Sequence, residues 1–285
     1  VVSRHFISDK NKPGKMRNEI STLHRETGVA WDATAKLYED SEKSDIAFLR
    51  DGGNNLMEPE QRILSDLETW CNCAIHLQCA GGKDTLSLLT QGAKEVIGID
   101  ISQRMIASAK RRSDSLQANA SWYCCDVLDV PKSLDAIGDL LYTGRGALPW
   151  IMDIQKWAAI VRRLLKPKGR LFVFEGHPLD WIWDTNTSDI RFHVERNNYF
   201  TEKIVGGERW PFPFLARQED PELVNLRMHE RQWTLGQIFE ALLNVGFNLI
   251  HFDEYPIPYW DQFPNIPKEI LTRLPHTYSI LAERN

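Results

Sequence analysis

This chain of 285 residues has no apolar run approaching the roughly 18 to 20 residues that span a bilayer. Its first stretch, VVSRHFISDKNKPGK, lacks the apolar core of a signal peptide. It has no excess of basic residues: the formal charge is −5 and the pI is near 5.9. That balance argues against a phosphate-backbone partner, which needs a basic face. Five cysteines, Cys71, Cys73, Cys79, Cys124 and Cys125, form no CxxC pair and no second ligand pair, so neither zinc nor a disulfide framework is expected. Buried reduced thiols and a cytoplasmic location are the expectation. Repeats and low-complexity tracts are also absent.

What is present is concentrated between Ala74 and Asp100, AIHLQCAGGKDTLSLLTQGAKEVIGID. It reads as apolar strand, Gly-Gly turn, amphipathic helix and a second apolar strand ending in an acid. Such a βαβ unit holds a nucleotide-like ligand at its first turn. Glycines there admit a ligand close to the backbone, and the helix amides behind them supply donors. Asp100 ends the second strand, where a carboxylate accepts hydrogen bonds from ribose hydroxyls.

Further along, Ser102 is placed to cap the helix QRMIASAKRRSDSL. SWYCCDVLDVP predicts a third strand ending at Asp126, and IGDLLYTGRGALPW a fourth ending in Tyr142-Thr143-Gly144. The residues DIQKWAAIVRRLL show the three-and-four spacing of an amphipathic helix, ahead of the fifth strand RLFVFEG. This alternation predicts a mostly parallel α/β sheet. Upstream, residues 1–16 read as a mobile arm and 17–50 as helical, with Trp31 and Tyr38 on one face and available as a lid. MEPEQRILSDLETW predicts one more helix.

After His177 the periodicity changes. Trp181, Trp183, Phe192, Tyr199, Phe200, Trp210, Phe212 and Phe214 alternate with turn formers, which predicts short antiparallel strands and either an aromatic pocket wall or a small aromatic core. TLGQIFEALLNVGF restores a helix capped by Thr234, and NLIHFDEY and TYSILAE predict two final strands. His177, directly after the fifth strand, is the candidate general base, with a structural cap as the competing reading. Arg145 and Glu175 share that sheet edge as candidates to orient a polar substrate; His229 is a weaker candidate base.

Taken with these residues, AIHLQCAGGKDTLSLL, IGIDIS, YCCDVLDVP and LLKPKGRLFVFEGHP resemble the first, second, third and later motifs of class I S-adenosylmethionine-dependent methyltransferases. The HLQC form resembles a small-molecule subgroup: Gln78 and Ala80 stand where glycines are usual, and His76 where an acid is usual. The resemblance implies a Rossmann-like seven-stranded sheet, mostly parallel with an antiparallel last strand. Its parts would be an N-terminal arm and helical lid (1–55), a cofactor-binding core (56–176), an inserted aromatic cap (177–232) and a C-terminal helix with final strands (233–285). It also implies S-adenosyl-L-methionine as cofactor, S-adenosyl-L-homocysteine as product, no metal, and a small or medium organic methyl acceptor. The implied cofactor contacts begin with Trp31 and Tyr38 on the lid and Gln78, Cys79, Ala80, Gly81 and Gly82 in the first turn. Asp100, Ile101 and Met105 follow, then Cys125, Asp126 and Val127, then Thr143 and Gly144. Tyr38, Arg145 and His177 are the candidate catalytic residues. The rival readings are an NAD(P)-dependent oxidoreductase, a cofactor-binding regulator that transfers nothing, and a protein methyltransferase. A monomer or homodimer is expected, acting on neither nucleic acid nor membrane.

Overall fold

The computed structural model describes residues 13–193, 198–207 and 226–285. Two helices lead the chain, α1 (Pro13–Asp40) and α2 (Glu42–Arg50), followed by the short α3 (Glu58–Ile63) and α4 (Leu67–Trp70). Strands and helices then alternate: β1 (Cys73–Leu77), α5 (Lys83–Thr90), β2 (Glu95–Asp100), α6 (Gln103–Leu116), β3 (Ala120–Cys124), β4 (Gly138–Gly144), α7 (Ile154–Leu164) and β5 (Leu165–Gly176). A small antiparallel pair, β6 (Ile204–Gly207) and β7 (Met228–Arg231), precedes α8 (Leu235–Asn244), β8 (Phe247–Tyr255), α9 (Lys268–Leu271) and β9 (Thr277–Arg284).

The main sheet has the order β3-β2-β1-β4-β5-β9-β8. Its strands run parallel except β9, which is antiparallel to both of its neighbours. This is the expected seven-stranded arrangement. Continuous burial of β1 follows from covering both faces: Ile75 and Leu77 join one core with Leu141, Trp157 and Val161, while Ala74 joins the other with Leu140, Leu64 and Leu88. Ser102 and Thr234 cap α6 and α8 as their spacing suggests.

Several boundaries differ from the sequence expectation. Helix α1 already begins at Pro13, so residues 13–16 are helical; residues 1–12 lie outside the described residues. The 17–50 helix breaks at Ser41, whose hydroxyl bonds back to the Tyr38 carbonyl and to Asp45. MEPEQRILSDLETW forms two short helices instead of one. Strand β3 stops at Cys124, and Asp126 opens a 3-10 turn by accepting from the Leu128 N–H (2.8 Å). Side-chain capping by Asp126 competes with the ladder there.

Candidate functional site

Strand order reverses between β2 and β4 on either side of β1, and open α/β sheets bind ligands at such a crevice. A cleft of about 880 Å³, part of it open to solvent, lies there. Its floor is Gln78 and Ala80 after β1, Asp100 and Ile101 at the end of β2, Asp126 and Val127 after β3, and Gly144 to Ala147 after β4. Met105 comes from the first turn of α6, and Trp150 and Ile151 from the turn beyond β4. Helix α1 roofs it with His24, Thr27, Trp31 and Tyr38, whose spacings of three, four and seven keep them on one face. Trp260 closes the far side from the loop between β8 and β9.

The turn after β1 is held in an unusual backbone conformation. Gln78 and Ala80 have φ of 58° and 45°, and Gly82 has 80°. Left-handed conformation suits glycine and costs other residues roughly 1–2 kcal/mol each, so the positions where glycines were expected carry glycine geometry with side chains added. Arg145, also on the lining, has φ of 56°. Gly82 itself faces away from the cleft; a Cβ there would sit 2.6 Å from Trp122 and 2.7 Å from Ala109. Packing under the turn leaves no room for a side chain at Gly82.

Asp100 organises this turn. It is 8% exposed, with one carboxylate oxygen accepting the Ala80 N–H (2.8 Å) and the other the Ser102 N–H (2.9 Å). Burial pushes its pKa up to about 6, against those backbone donors, which favour the charged form. The Gln78 amide donates to the Ala147 carbonyl (2.7 Å), while its buried Oε1 has no hydrogen-bond partner in the protein. Beneath the turn, Arg112 is 1% exposed and donates to the Gly81 carbonyl (3.1 Å), the Tyr38 carbonyl (2.6 Å) and Asp45 (2.7 Å).

The roof is bolted to α6. Asp32 of α1 accepts from the Ser102 hydroxyl and the Arg104 N–H, both at 2.8 Å, so it caps α6 from another helix. Glu39 pairs with Arg104, and Glu42 of α2 with Arg111. His24 donates from Nδ1 to Asp126 (2.8 Å) and receives the Met152 N–H at Nε2 (3.1 Å), which commits both ring nitrogens. Burial raises the Asp126 pKa, but the His24 bond outweighs it and holds the carboxyl below the usual range. Tyr38 is pushed up to about 12 by burial.

Of the residues expected to touch a cofactor, Trp31, Tyr38, Gln78, Ala80, Asp100, Ile101, Met105, Asp126, Val127 and Gly144 line the cleft, and Arg145 does too. Cys79, Gly81, Gly82, Cys125 and Thr143 do not; they form the layer behind it. The Arg145 guanidinium is ion-paired with Asp84 and donates to the Asn55 carbonyl (3.1 Å), so it braces the cleft wall. His76 lies behind the turn, bonded to the Thr85 hydroxyl (2.8 Å) and edge-on to Tyr142, and burial pushes its pKa down to about 4. The carboxylate of Glu175 is taken up by the N–H groups of Gly146, Ala147, Leu148 and Gly176. That fixes the loop beyond β4.

His177, expected as a base or as a structural cap, follows the end of β5. It is absent from the cleft lining, donates from Nε2 to Glu254 (2.8 Å), and accepts the Leu179 N–H at Nδ1 (3.1 Å). Burial lowers its pKa, with Glu254 opposing. The ring is a cap for the turn Pro178–Ile182. His177→Ala should therefore cost about 0.5–2 kcal/mol of stability, as cap removal does, with cofactor affinity unchanged; denaturant midpoints and calorimetry check both. Part of the aromatic insertion is described. Trp183 stacks on Phe192 (5.2 Å), Tyr199 meets Phe200 edge to face (5.1 Å), and none of the four lines the cleft. Trp210, Phe212 and Phe214 lie outside the described residues. His229 instead ties the insertion to the roof, bonding Glu26 (2.6 Å) and donating its N–H to Thr27 (3.1 Å).

Sequence reasoning missed His24, Thr27, Gly146, Ala147, Trp150, Ile151 and Trp260. The first two were findable from the helical spacing back from Trp31. Trp260 carried no signal, because a Pro-rich loop has no periodicity to place it. Among the described residues, no group of three or more His, Cys, Asp or Glu is placed to hold a metal ion, and no helix is long and apolar enough to cross a membrane.

Comparison with known proteins agrees with this geometry. Residues 74–169 match a methyltransferase domain family. An uncharacterized 37.1 kDa protein of a Streptomyces fradiae transposon is 35% identical over 137 residues, covering 46% of this chain and 37% of that protein. An uncharacterized Methanocaldococcus jannaschii protein is 37% identical over 59 residues, 21% of this chain and 27% of its own. The chain thus spans only about a third of these curated relatives. An S-adenosylmethionine-dependent methyltransferase of Mesorhizobium loti superposes with a TM-score of 0.57 at 20% identity, covering 79% of this chain and 96% of that one. The geranyl diphosphate C-methyltransferase of Streptomyces coelicolor, solved with S-adenosyl-L-homocysteine, superposes at 0.53 and 13% identity, covering 80% and 76%. Residues 74–169 thus match the methyltransferase domain family, and the chain shares the fold of solved S-adenosylmethionine-dependent methyltransferases.

Proposed function

We propose that the protein is an S-adenosylmethionine-dependent methyltransferase acting on a small or medium organic acceptor. The observation that carries this is the convergence of two acceptors with spare capacity on one cleft: the Asp100 carboxylate and Gln78 Oε1, which has no partner in the protein. A carboxylate offers about four lone-pair sites, and the two backbone donors leave Asp100 room for ribose hydroxyls. Gln78 Oε1 is an acceptor for an ammonium, the role an acidic side chain at position 76 would otherwise support. Ile101, Met105 and Val127 supply an apolar slot beside Asp126 for a purine.

Bound there, S-adenosylmethionine supplies a methyl group already activated by its sulfonium. The protein's part is to hold and align, and orientation is worth about 7–11 kcal/mol in favourable cases. Asp100 anchors the sugar, Gln78 the amino-acid end, and the α1 roof excludes water. Tyr38, neutral up to about pH 12, stays a hydroxyl-bearing wall and takes no proton at neutral pH.

Calorimetric titration with S-adenosylmethionine, S-adenosylhomocysteine, NAD and NADP tests the reading: the two adenosyl ligands should bind, and nicotinamide binding alone would overturn it. The same experiment has a pH signature. Hydroxyl donors favour the charged form of Asp100, so binding near pH 6 should release up to about half a proton, and binding at pH 8 almost none. Affinity should accordingly fall as pH drops below about 6. Titrations in buffers of different ionisation enthalpy measure that proton; identical heats at pH 6 would mean Asp100 does not meet the ligand.

A further inference from the structure

The cleft has an end that the adenosyl contacts leave over. It is walled by indoles from three separate elements: Trp31 on the roof, Trp150 on the turn after β4, and Trp260 on the loop between β8 and β9. Trp31 and Trp150 meet edge to face at 5.5 Å and 87°. Trp260 stands over the turn after β4, its Nε1 4.0 Å from where a Gly146 side chain would begin. Asp100 and Gln78, assigned above to the cofactor, stand at the carboxyl ends of β2 and β1.

Trp260 is held firmly. Its neighbour Tyr259 donates to Glu175 (3.3 Å), Gln262 donates to Asp180, and His276 bonds the same Asp180 (2.9 Å). Phe263 is 2% exposed and packs on His276, and Thr277 donates to the Ile257 carbonyl (2.8 Å). Arg145, on the same lining, is ion-paired with Asp84. A rigid enclosure of aromatic faces and edges selects flat rings, because aromatic pairs gain beyond the area they bury.

On the methyl-transfer reading, we propose that the acceptor presents a flat, uncharged aromatic ring to this indole wall, and that Trp260 is a specificity-determining residue. The test titrates 2-naphthol and its saturated counterpart, decahydro-2-naphthol, into protein saturated with S-adenosylhomocysteine. Naphthol should bind about 10-fold tighter or more than the puckered analogue, as ring stacking on several partners requires. Trp260→Ala should weaken naphthol about 10-fold and Trp260→Phe less than about 3-fold, since phenylalanine keeps an aromatic face. Affinity of both variants for S-adenosylhomocysteine should stay within about 2-fold of wild type, which also reports that they fold. Equal binding of the two probes, no loss in Trp260→Ala, or displacement of S-adenosylhomocysteine by naphthol overturns the proposal while leaving methyl transfer standing. A wild-type protein that binds no S-adenosylhomocysteine overturns both.

Discussion

Asp100→Ala should raise the Kd for S-adenosylhomocysteine roughly 30- to 150-fold, equivalent to about 2–3 kcal/mol for lost hydrogen bonds to a charged partner. Two losses combine in that figure. The sugar loses its acceptor, and the N–H groups of Ala80 and Ser102 lose the carboxylate that holds them in place. Asp100→Asn should be nearly as damaging, because its NH2 group would face one of those N–H donors. An isothermal titration showing unchanged affinity for the alanine variant would mean that the ligand lies elsewhere.

Arg112→Leu should lower stability by about 3–5 kcal/mol, the range found when one partner of a buried ion pair is removed. Asp45 keeps its bond to Lys83 (2.8 Å), but the carbonyls of Gly81 and Tyr38 lose their donor in a site without water access. Arg112→Lys should recover little, since one ammonium cannot reach three directions as a guanidinium does. For a chain of this size the loss corresponds to roughly 10 °C in Tm. Thermal unfolding followed by circular dichroism measures it, and a shift under about 3 °C, less than about 1 kcal/mol of effect, would show that the arginine is dispensable.

The sheet was legible in the sequence because its strands are covered on both faces and its helices on one. Continuous runs such as CAIHL and the three-and-four spacing of IQKWAAIVRRL follow directly from that environment. The acidic strand end at Asp100 was legible for the same reason: position along a βαβ unit is local information. The bracing groups were not. The sequence singled out neither Arg112 nor His24, and offered Glu175 only as a residue to orient a polar substrate. Their roles depend on partners 67, 28 and 102 residues away respectively. Aromatic density was informative only in part. It marked the insertion as rich in rings but said nothing of which way they face: Trp183 stacks on Phe192, and Tyr199 meets Phe200 edge to face. The tryptophans that do line the cleft come singly from three elements, a pattern that only folding assembles.

The left-handed residues Gln78, Ala80 and Arg145 have a kinetic and entropic side. A turn built from glycine samples many shapes when empty, and a ligand must freeze one of them. Side chains at these φ values remove most of those alternatives in advance, and the strain is carried by the fold at all times. The cleft should thus associate with its ligand with little loss of backbone freedom, so that complex lifetime is set by contacts broken on departure and not by loop rearrangement.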